Sequence, residues 1–384
     1  MRILVLNAGS RTLKASVVVG GVTEARAEVE TRDVEIDLRA VLEPLSDVRP
    51  DAVTHRIVHG GERFITPVIA DAAVVDALRG LVELAPLHMP PALAVLEAAT
   101  QRFPRVPQVC CFDTAYHATL PEIETRYPVP DRWSTEWGIR RYGFHGLSVE
   151  WAVGRAAALL GRPLEDLCLV VAHLGGGCSV TAVDGGRSVR TSMGYTPLEG
   201  LMMGTRSGSV DPGMLIGLLR TGRLDVDGLS HDLEHRSGIL GVSAISADVR
   251  EVQAAADAGD VRAELALAMF AARAASGIAA AATALPRLDA IVCTGGIGEH
   301  AGQLRAATIA HLGVLGVAPI ASDEPGEDRV LASAAGGTSA HPGVASGTPA
   351  GSGTPAGSGP PVLRVEARED LISAAYAEAL ISPV

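Results

Sequence analysis

The chain has 384 residues, 47% of them hydrophobic, and a formal net charge of −12. That length suggests two or three domains with real cores. The acidic balance, with no basic block to offset it, argues against a nucleic-acid or anionic-membrane partner, while small anionic substrates stay open because a site can be locally positive.

The opening MRILVLNAGS has neither an extended apolar region nor a cleavage signature, so no signal peptide is expected. Arg2 to Leu6 reads as a strand, Asn7 to Lys14 as a turn rich in glycine and hydroxyls, and Ala15 to Val19 with Val22 to Val29 as hairpin strands around Gly20-Gly21. Strand, Gly/hydroxyl turn and strand make a phosphate-binding hairpin. Lys14 is the sole lysine and Asn7 the sole asparagine of the chain, seven residues apart. Arginine stands in for lysine elsewhere, but a compact ammonium on a phosphate is not equivalent to a forked guanidinium.

Ala52 to Val58 is a strand containing Arg56 and ending at His59-Gly60-Gly61. Asp71 caps a helix over Ala72 to Leu84, Ala85 to Pro91 breaks it, and a short helix runs to about Thr100. Gln108 to Phe112 is a buried strand that stops at Asp113, where α/β proteins place ligand-binding carboxylates, although an N-cap role fits that position equally well. Arg140 to Gly146 precedes a helix from Ser148 to Leu160. The two arginines, if close to His145, would keep its imidazole neutral.

Cys168 to Ala172 is an apolar strand stopping at His173-Leu174-Gly175-Gly176-Gly177, a loop whose amides can approach an anion. This repeats the N-terminal grammar and suggests two similar domains facing one nucleotide. Thr191 to Gly208 has neither helical nor strand period and too many apolar residues to be disordered, so a functional loop is expected. Asp211-Pro212 starts a helix to Arg220, Ser237 to Ile245 is a connector, and Asp248 with Arg250 opens a helix to about Ala258. Val261 to Leu285, alanine-rich but interrupted by Arg262, Glu264 and Arg273, reads as a soluble helix. Asp289 to Cys293 is a third strand ending in glycines, at Gly295-Gly296-Ile297-Gly298-Glu299. Leu331 to Pro361 is a low-complexity insert expected to be flexible, and Glu369-Asp370 begins a last helix to about Ile381. Cys110, Cys111, Cys168, Cys178 and Cys293 show no metal-ligand spacing, which reads as reduced core thiols of a cytoplasmic protein.

Asn7 to Ser10, His55 to Glu62, Phe112 to Ala115, Arg141 to Gly146 and Thr191 to Asp211, taken in order, resemble the acetate kinases, a family of the acetate and sugar kinase/heat-shock chaperone/actin superfamily. The resemblance covers nearly the whole chain outside the insert. It implies an α/β fold of two duplicated ribonuclease H-like (actin-like ATPase) domains with a nucleotide cleft between them. Residues 1–115 and 368–384 would form one domain and residues 116–367 the other. The implied reaction is Mg²⁺-dependent (or Mn²⁺-dependent) transfer from ATP to acetate in a homodimer.

By the same resemblance Asn7 and Glu369 serve the metal, and Lys14, Ser10 and Thr12 the nucleotide phosphates. His173, Leu174, Gly175, Gly176 and Gly177 line the phosphates. Asp248, Val249 and Arg250 surround the adenosine with Gly296, Ile297, Gly298, Glu299 and His300. Arg56 holds the carboxylate substrate, Asp113 is the catalytic carboxylate, and His145 with Arg206 stabilises the phosphoryl group. Val58, Leu87, Phe144 and Pro197 form the apolar pocket. Gly176 departs from the family's asparagine, and Arg368-Glu369-Asp370 from its Asn-Glu-Glu. Alternatives are a propionate or other short-chain acyl kinase, or a non-catalytic nucleotide-binding protein.

Overall fold

The computed structural model describes residues 1–9, 12–30, 38–45, 48–323, 326–331 and 359–382. Ser10, Arg11 and positions 332–358 of the expected insert lie outside the described residues. The insert's expected ends belong to the sheet: Leu331 is buried and donates to Val362 O, and Pro361 O accepts from Ile291 N.

The first sheet comprises β1 (Arg2–Ala8), β2 (Thr12–Val19), β3 (Val22–Glu30), β4 (Ala52–Ile57), β5 (Val68–Ile69) and β6 (Gln108–Phe112), in the order β3-β2-β1-β4-β6-β5. The second comprises β7 (Cys168–Leu174), β8 (Cys178–Asp184), β9 (Arg187–Thr191), β10 (Ala290–Thr294), β11 (Arg329–Val330) and β12 (Val362–Arg364), in the order β11-β12-β10-β7-β8-β9. Read from the opposite edge, the second order repeats the first, with β7 in the place of β1. The directions repeat too: two antiparallel partners follow the first strand, and the next two strands run parallel to it. The duplication suggested by two strand–glycine–strand segments therefore extends through both sheets.

Two helices cross between the lobes. α1 (Gly146–Leu160) follows the first sheet in sequence yet packs Val149, Ala152, Val153 and Ala156 against Leu169, Val171, Ala290 and Val292 of the second. α2 (Glu369–Ile381) follows the second sheet and packs Ala374 and Ala377 against Ile3, Val5, Ala52 and Val109 of the first. Small alanines on the inward stripe let each helix sit close to its sheet. Tyr376 of α2 donates to both carboxylate oxygens of Glu150 on α1, at 2.5 and 2.6 Å, so the crossing helices are tied together.

Several local expectations change. Asn7 and Lys14 are strand residues rather than turn residues, because β1 and β2 stay paired up to Ala8 and Leu13. The helix capped by Asp71 ends at Arg79, where Gly80 interrupts it, and Val82–Leu84 is a separate turn. The helix after the proline break is longer than expected, Met89–Arg102, and Gly238–Ser243 is helical rather than a connector. Val261–Ala282 is long and apolar enough to cross a membrane by length and composition. Here Ala263, Leu267, Phe270, Ala274 and Ile278 are buried in the main core, which accounts for its apolar stripe.

Candidate active site

Lys14, Asn7 and Arg56 stand in one row across β2, β1 and β4, since Lys14 pairs with Asn7 and Asn7 with Arg56. In-register neighbours point to the same face of a sheet, so this register alone gathers the three side chains. Asp113 follows the end of β6 and is 1% exposed. Arg56 Nε donates to Asp113 Oδ1 at 2.9 Å and Nη2 to Oδ2 at 2.6 Å. Its Nη1 donates to Asn7 Oδ1 at 3.3 Å and lies 3.4 Å from Glu369 Oε2, to which Asn7 Nδ2 also donates at 3.1 Å. Burial acts to lower the Arg56 pKa, but Asp113 and Glu369 outweigh it and hold the guanidinium firmly charged. Burial raises the Asp113 carboxyl against the pull of the same arginine.

The two C-terminal acids separate cleanly. Asp370 accepts from Thr23 Oγ1 at 2.7 Å and Arg368 Nε at 3.0 Å, with Arg26 at 3.6 Å, and is thereby bound to the β3 side. Glu369 is the one turned to Asn7 and Arg56.

In the second lobe His173 takes the place on β7 that Asn7 has on β1, and it pairs with Ser179 and Thr294. Its ring stacks on that of His145 at 4.1 Å. Each imidazole is oriented by a hydroxyl, His145 Nδ1 by Ser179 Oγ at 2.9 Å and His173 Nδ1 by Ser148 Oγ at 2.8 Å. His145 has a left-handed backbone, with φ 60, an uncommon conformation for a residue other than glycine. The neutral imidazole expected there holds, but for a different reason. Burial is the main cause of its lowered pKa, followed by His173, Arg56 and Arg206. Arg140 and Arg141 are committed elsewhere, to Glu62 and Glu199. His173 is likewise lowered to about 4, by burial and then Arg56.

Arg206 Nη1 donates to Pro197 O at 2.8 Å, and among the described residues no carboxylate lies within salt-bridge distance of it. A methyl group placed on Gly177 would meet Arg206 Nη2 at 3.0 Å and His145 Nε2 at 3.1 Å, so those two nitrogens converge above the glycine loop. The same construction on Gly176 meets nothing within 4 Å.

These groups share one cleft of about 690 Å³ between the lobes. Asn7, Thr12, Lys14, Arg56, Asp113 and Glu369 line it from one side. His145, His173, Gly175, Gly176, Gly177, Arg206 and Gly296 line it from the other. Lys14 Nζ is 3.7 Å from Glu28, which also lines the cleft. Val58, Phe144 and Pro197 form an apolar part of the wall, whereas Leu87 stays off it and His88, one residue on, lines the cleft instead. Within the proline break the resemblance points to Leu87 for the apolar pocket and gives the adjacent His88 no role. Ser16 and Ser373 are further lining residues that the sequence did not reveal.

The residues expected around the adenosine are mostly off the lining. Asp248 caps its helix by accepting from Arg250 N at 2.8 Å and pairs with the exposed Arg250 side chain. Of the short helix Gly295–His300, Gly295 and Gly296 reach the cleft, while Ile297, Gly298, Glu299 and His300 do not. Glu299 is buried and accepts from Ala367 N at 2.9 Å. Leu174 is core, 1% exposed.

Among the described residues no group of three or more His, Cys, Asp or Glu could hold a metal ion. The cleft instead offers the Glu369 and Asp113 carboxylates and the Asn7 amide oxygen. Hard oxygen donors in that number suit Mg²⁺, which keeps several waters and completes its shell with substrate phosphates rather than a closed protein cage.

Two equivalent α/β lobes, with cations and glycine loops at the strand ends facing one cleft, define a two-lobed phosphotransferase of the actin-like ATPase class. The sequence profile of the acetokinase family matches residues 32–334. An acetate kinase of Deinococcus deserti is 53% identical over 266 residues, 69% of this chain and 66% of that one. Among solved structures, Porphyromonas gingivalis acetate kinase superposes with a TM-score of 0.83 at 30% identity, covering 99% of this chain and 100% of its own. A propionate kinase from Francisella tularensis gives 0.80 at 30% identity, over 98% of each chain. The chain belongs to the acetokinase family and is a kinase.

Proposed function

We propose that the chain catalyses ATP + acetate ⇌ ADP + acetyl phosphate. The observation that carries this reading is the contrast between the two cleft arginines: Arg56 is neutralised by Asp113, whereas Arg206 has no acidic partner among the described residues and converges with a neutral imidazole. Such a pair is built to meet an anion that arrives and leaves.

A carboxylate is already ionised at neutral pH, so no base is required. One acetate oxygen attacks the γ-phosphorus as the bond to the β,γ-bridging oxygen breaks, and the electron pair leaves on ADP. Arg206 and His145 donate to the oxygens of the phosphoryl group in flight. Arg56 aligns the acetate carboxylate, Val58, Phe144 and Pro197 enclose its methyl group, and Asp113 fixes the Arg56 fork. Lys14, Thr12 and the amides of the Gly175–Gly177 loop hold the phosphates of ATP. Asn7 and Glu369 would hold Mg²⁺, which offsets phosphate charge when bound.

The same reading divides the chain into residues 1–115 with 368–384 and residues 116–367, and sets it in the cytoplasm. It also makes the protein a homodimer. Propionate is the alternative acceptor, since one methylene in an apolar pocket shifts selectivity by only ~1–3 kcal/mol. A hydroxamate assay with acetate, propionate and butyrate, with and without Mg²⁺, tests the proposal. Mg²⁺-dependent hydroxamate with the highest kcat/KM for acetate supports it. ATP binding with no acyl phosphate from any acid rejects it.

A further inference from the structure

The loop from Ser192 to Ser209 carries both Pro197 and Arg206 yet contains no regular secondary structure. Something outside the loop must fix it, because irregular backbone has no ladder of its own. Its second half is tied to residues 233–240, with Ser207 N donating to Leu233 O and Thr205 O accepting from Ser237 N, while the hydrogen bonds of its first half gather at one carboxylate. Glu199 Oε1 accepts from Arg141 Nη2 at 2.7 Å, and Glu199 Oε2 accepts from the Tyr127 hydroxyl. Both donors also hold loop backbone. The Tyr127 oxygen accepts from Tyr195 N at 2.9 Å, and Arg141 Nη1 donates to Met193 O at 2.7 Å and Ser192 O at 3.2 Å. A side chain on Gly194 would collide with the Glu199 carboxylate and the Tyr127 hydroxyl, so the loop is built around this junction.

Arg141 opens the Tyr142–Phe144 segment leading to His145, and the N–H groups of Tyr142 and Gly143 donate to Gly194 O at 3.1 and 3.3 Å. One guanidinium thus fastens the Phe144–His145 segment to the loop bearing Pro197 and Arg206. We propose that Glu199, anchored by Tyr127 and Arg141, is a positioning residue that keeps Arg206 and Pro197 in register with His145 and Phe144. It touches neither substrate. This role rests on the carboxylate-kinase reading.

The test uses Glu199→Gln and Tyr127→Phe in the full chain, with folding checked by circular dichroism and Tm. The role predicts a rise in acetate KM and a fall in kcat of ~10-fold or more, since misplacement of about an ångström carries such a cost. The Kd for ATP, measured by calorimetry without acetate, should stay within about twofold of the parent. The double variant should be little worse than the poorer single one, because both act through one junction. Acetate KM and kcat both within about twofold of the parent overturn the role, as does a weakened ATP Kd that tracks the activity loss, which marks a general structural defect. A parent chain that makes no acyl phosphate at all rejects the underlying kinase reading, and this role with it.

Discussion

Arg56 and Arg206 face the same cleft, but their surroundings give them different work. Arg56 is locked to Asp113 through Nε and Nη2, so its charge is largely spoken for and its orientation is fixed. Among the described residues the Arg206 guanidinium hydrogen-bonds to the carbonyl of Pro197 alone, and burial lowers its pKa without removing its charge at any ordinary pH. A buried cation without an acidic partner is costly, and in a cleft that cost is relieved when a phosphoryl anion arrives. Arg206→Ala should therefore lower kcat by ~10³-fold or more, as removal of a charge clamp does. Steady-state kinetics would show it, and a loss below about tenfold would reject the clamp. Arg206→Lys should recover only part of the rate, because an ammonium cannot reproduce the planar fork.

At the scale of an element, the start of α1 is where packing and chemistry meet. Gly146 N donates to Asp113 O at 2.9 Å, and a methyl group on Gly146 would strike that carbonyl and crowd Tyr116 Cβ at 2.8 Å. The absence of a side chain therefore lets the helix begin against the Asp113 backbone and brings His145 beside Asp113 in space. Gly146→Ala should cost about 1–3 kcal/mol, the usual penalty for overpacking. It should also reduce kcat, because Asp113 and His145 are forced apart. Urea denaturation is the measurement, and a variant as stable as the parent would show that the contact yields freely. α2 plays the matching part in the other lobe, with Glu369 as its first residue.

For the molecule as a whole, buried histidines set a limit on acid stability. His55, His59 and His117 are each at most 1% exposed, and burial lowers each pKa to about 4 from an ordinary 6.5. The unfolded chain takes up protons below pH 6.5 that the folded chain refuses until about 4. Their stabilising contribution is thus complete above pH 6.5 and lost as the pH falls toward 4. Each group adds a slope of up to ~1.4 kcal/mol per pH unit within that window. Unfolding free energies from urea titrations should drop between pH 7 and pH 5, and a flat profile would contradict the neutral burial of these rings.

The sequence by itself determined the strands that end in functional residues and the repeated strand–glycine–strand unit, while the resemblance to acetate kinases supplied Val58, Phe144, Pro197, Arg206 and Glu369 of the cleft. The strands and the repeated unit are local: apolar runs, glycines and charged residues at strand ends read directly from neighbouring positions. The lone Lys14 and Asn7 were informative for the same reason, and they prove to be cross-strand partners. Only the tertiary structure decided the rest. The causes of the neutral His145 lie far away in sequence, at Arg56, His173 and Arg206. Asp370 lines the cleft beside Glu369, but its carboxylate is engaged by Thr23, Arg26 and Arg368, two of which belong to a strand nearly the whole chain distant. The placement of His88 instead of Leu87 on the wall depends on how one turn meets the other lobe. Burial, electrostatic neighbours and the pairing of two duplicated sheets are sums over distant segments, and no window of sequence contains them.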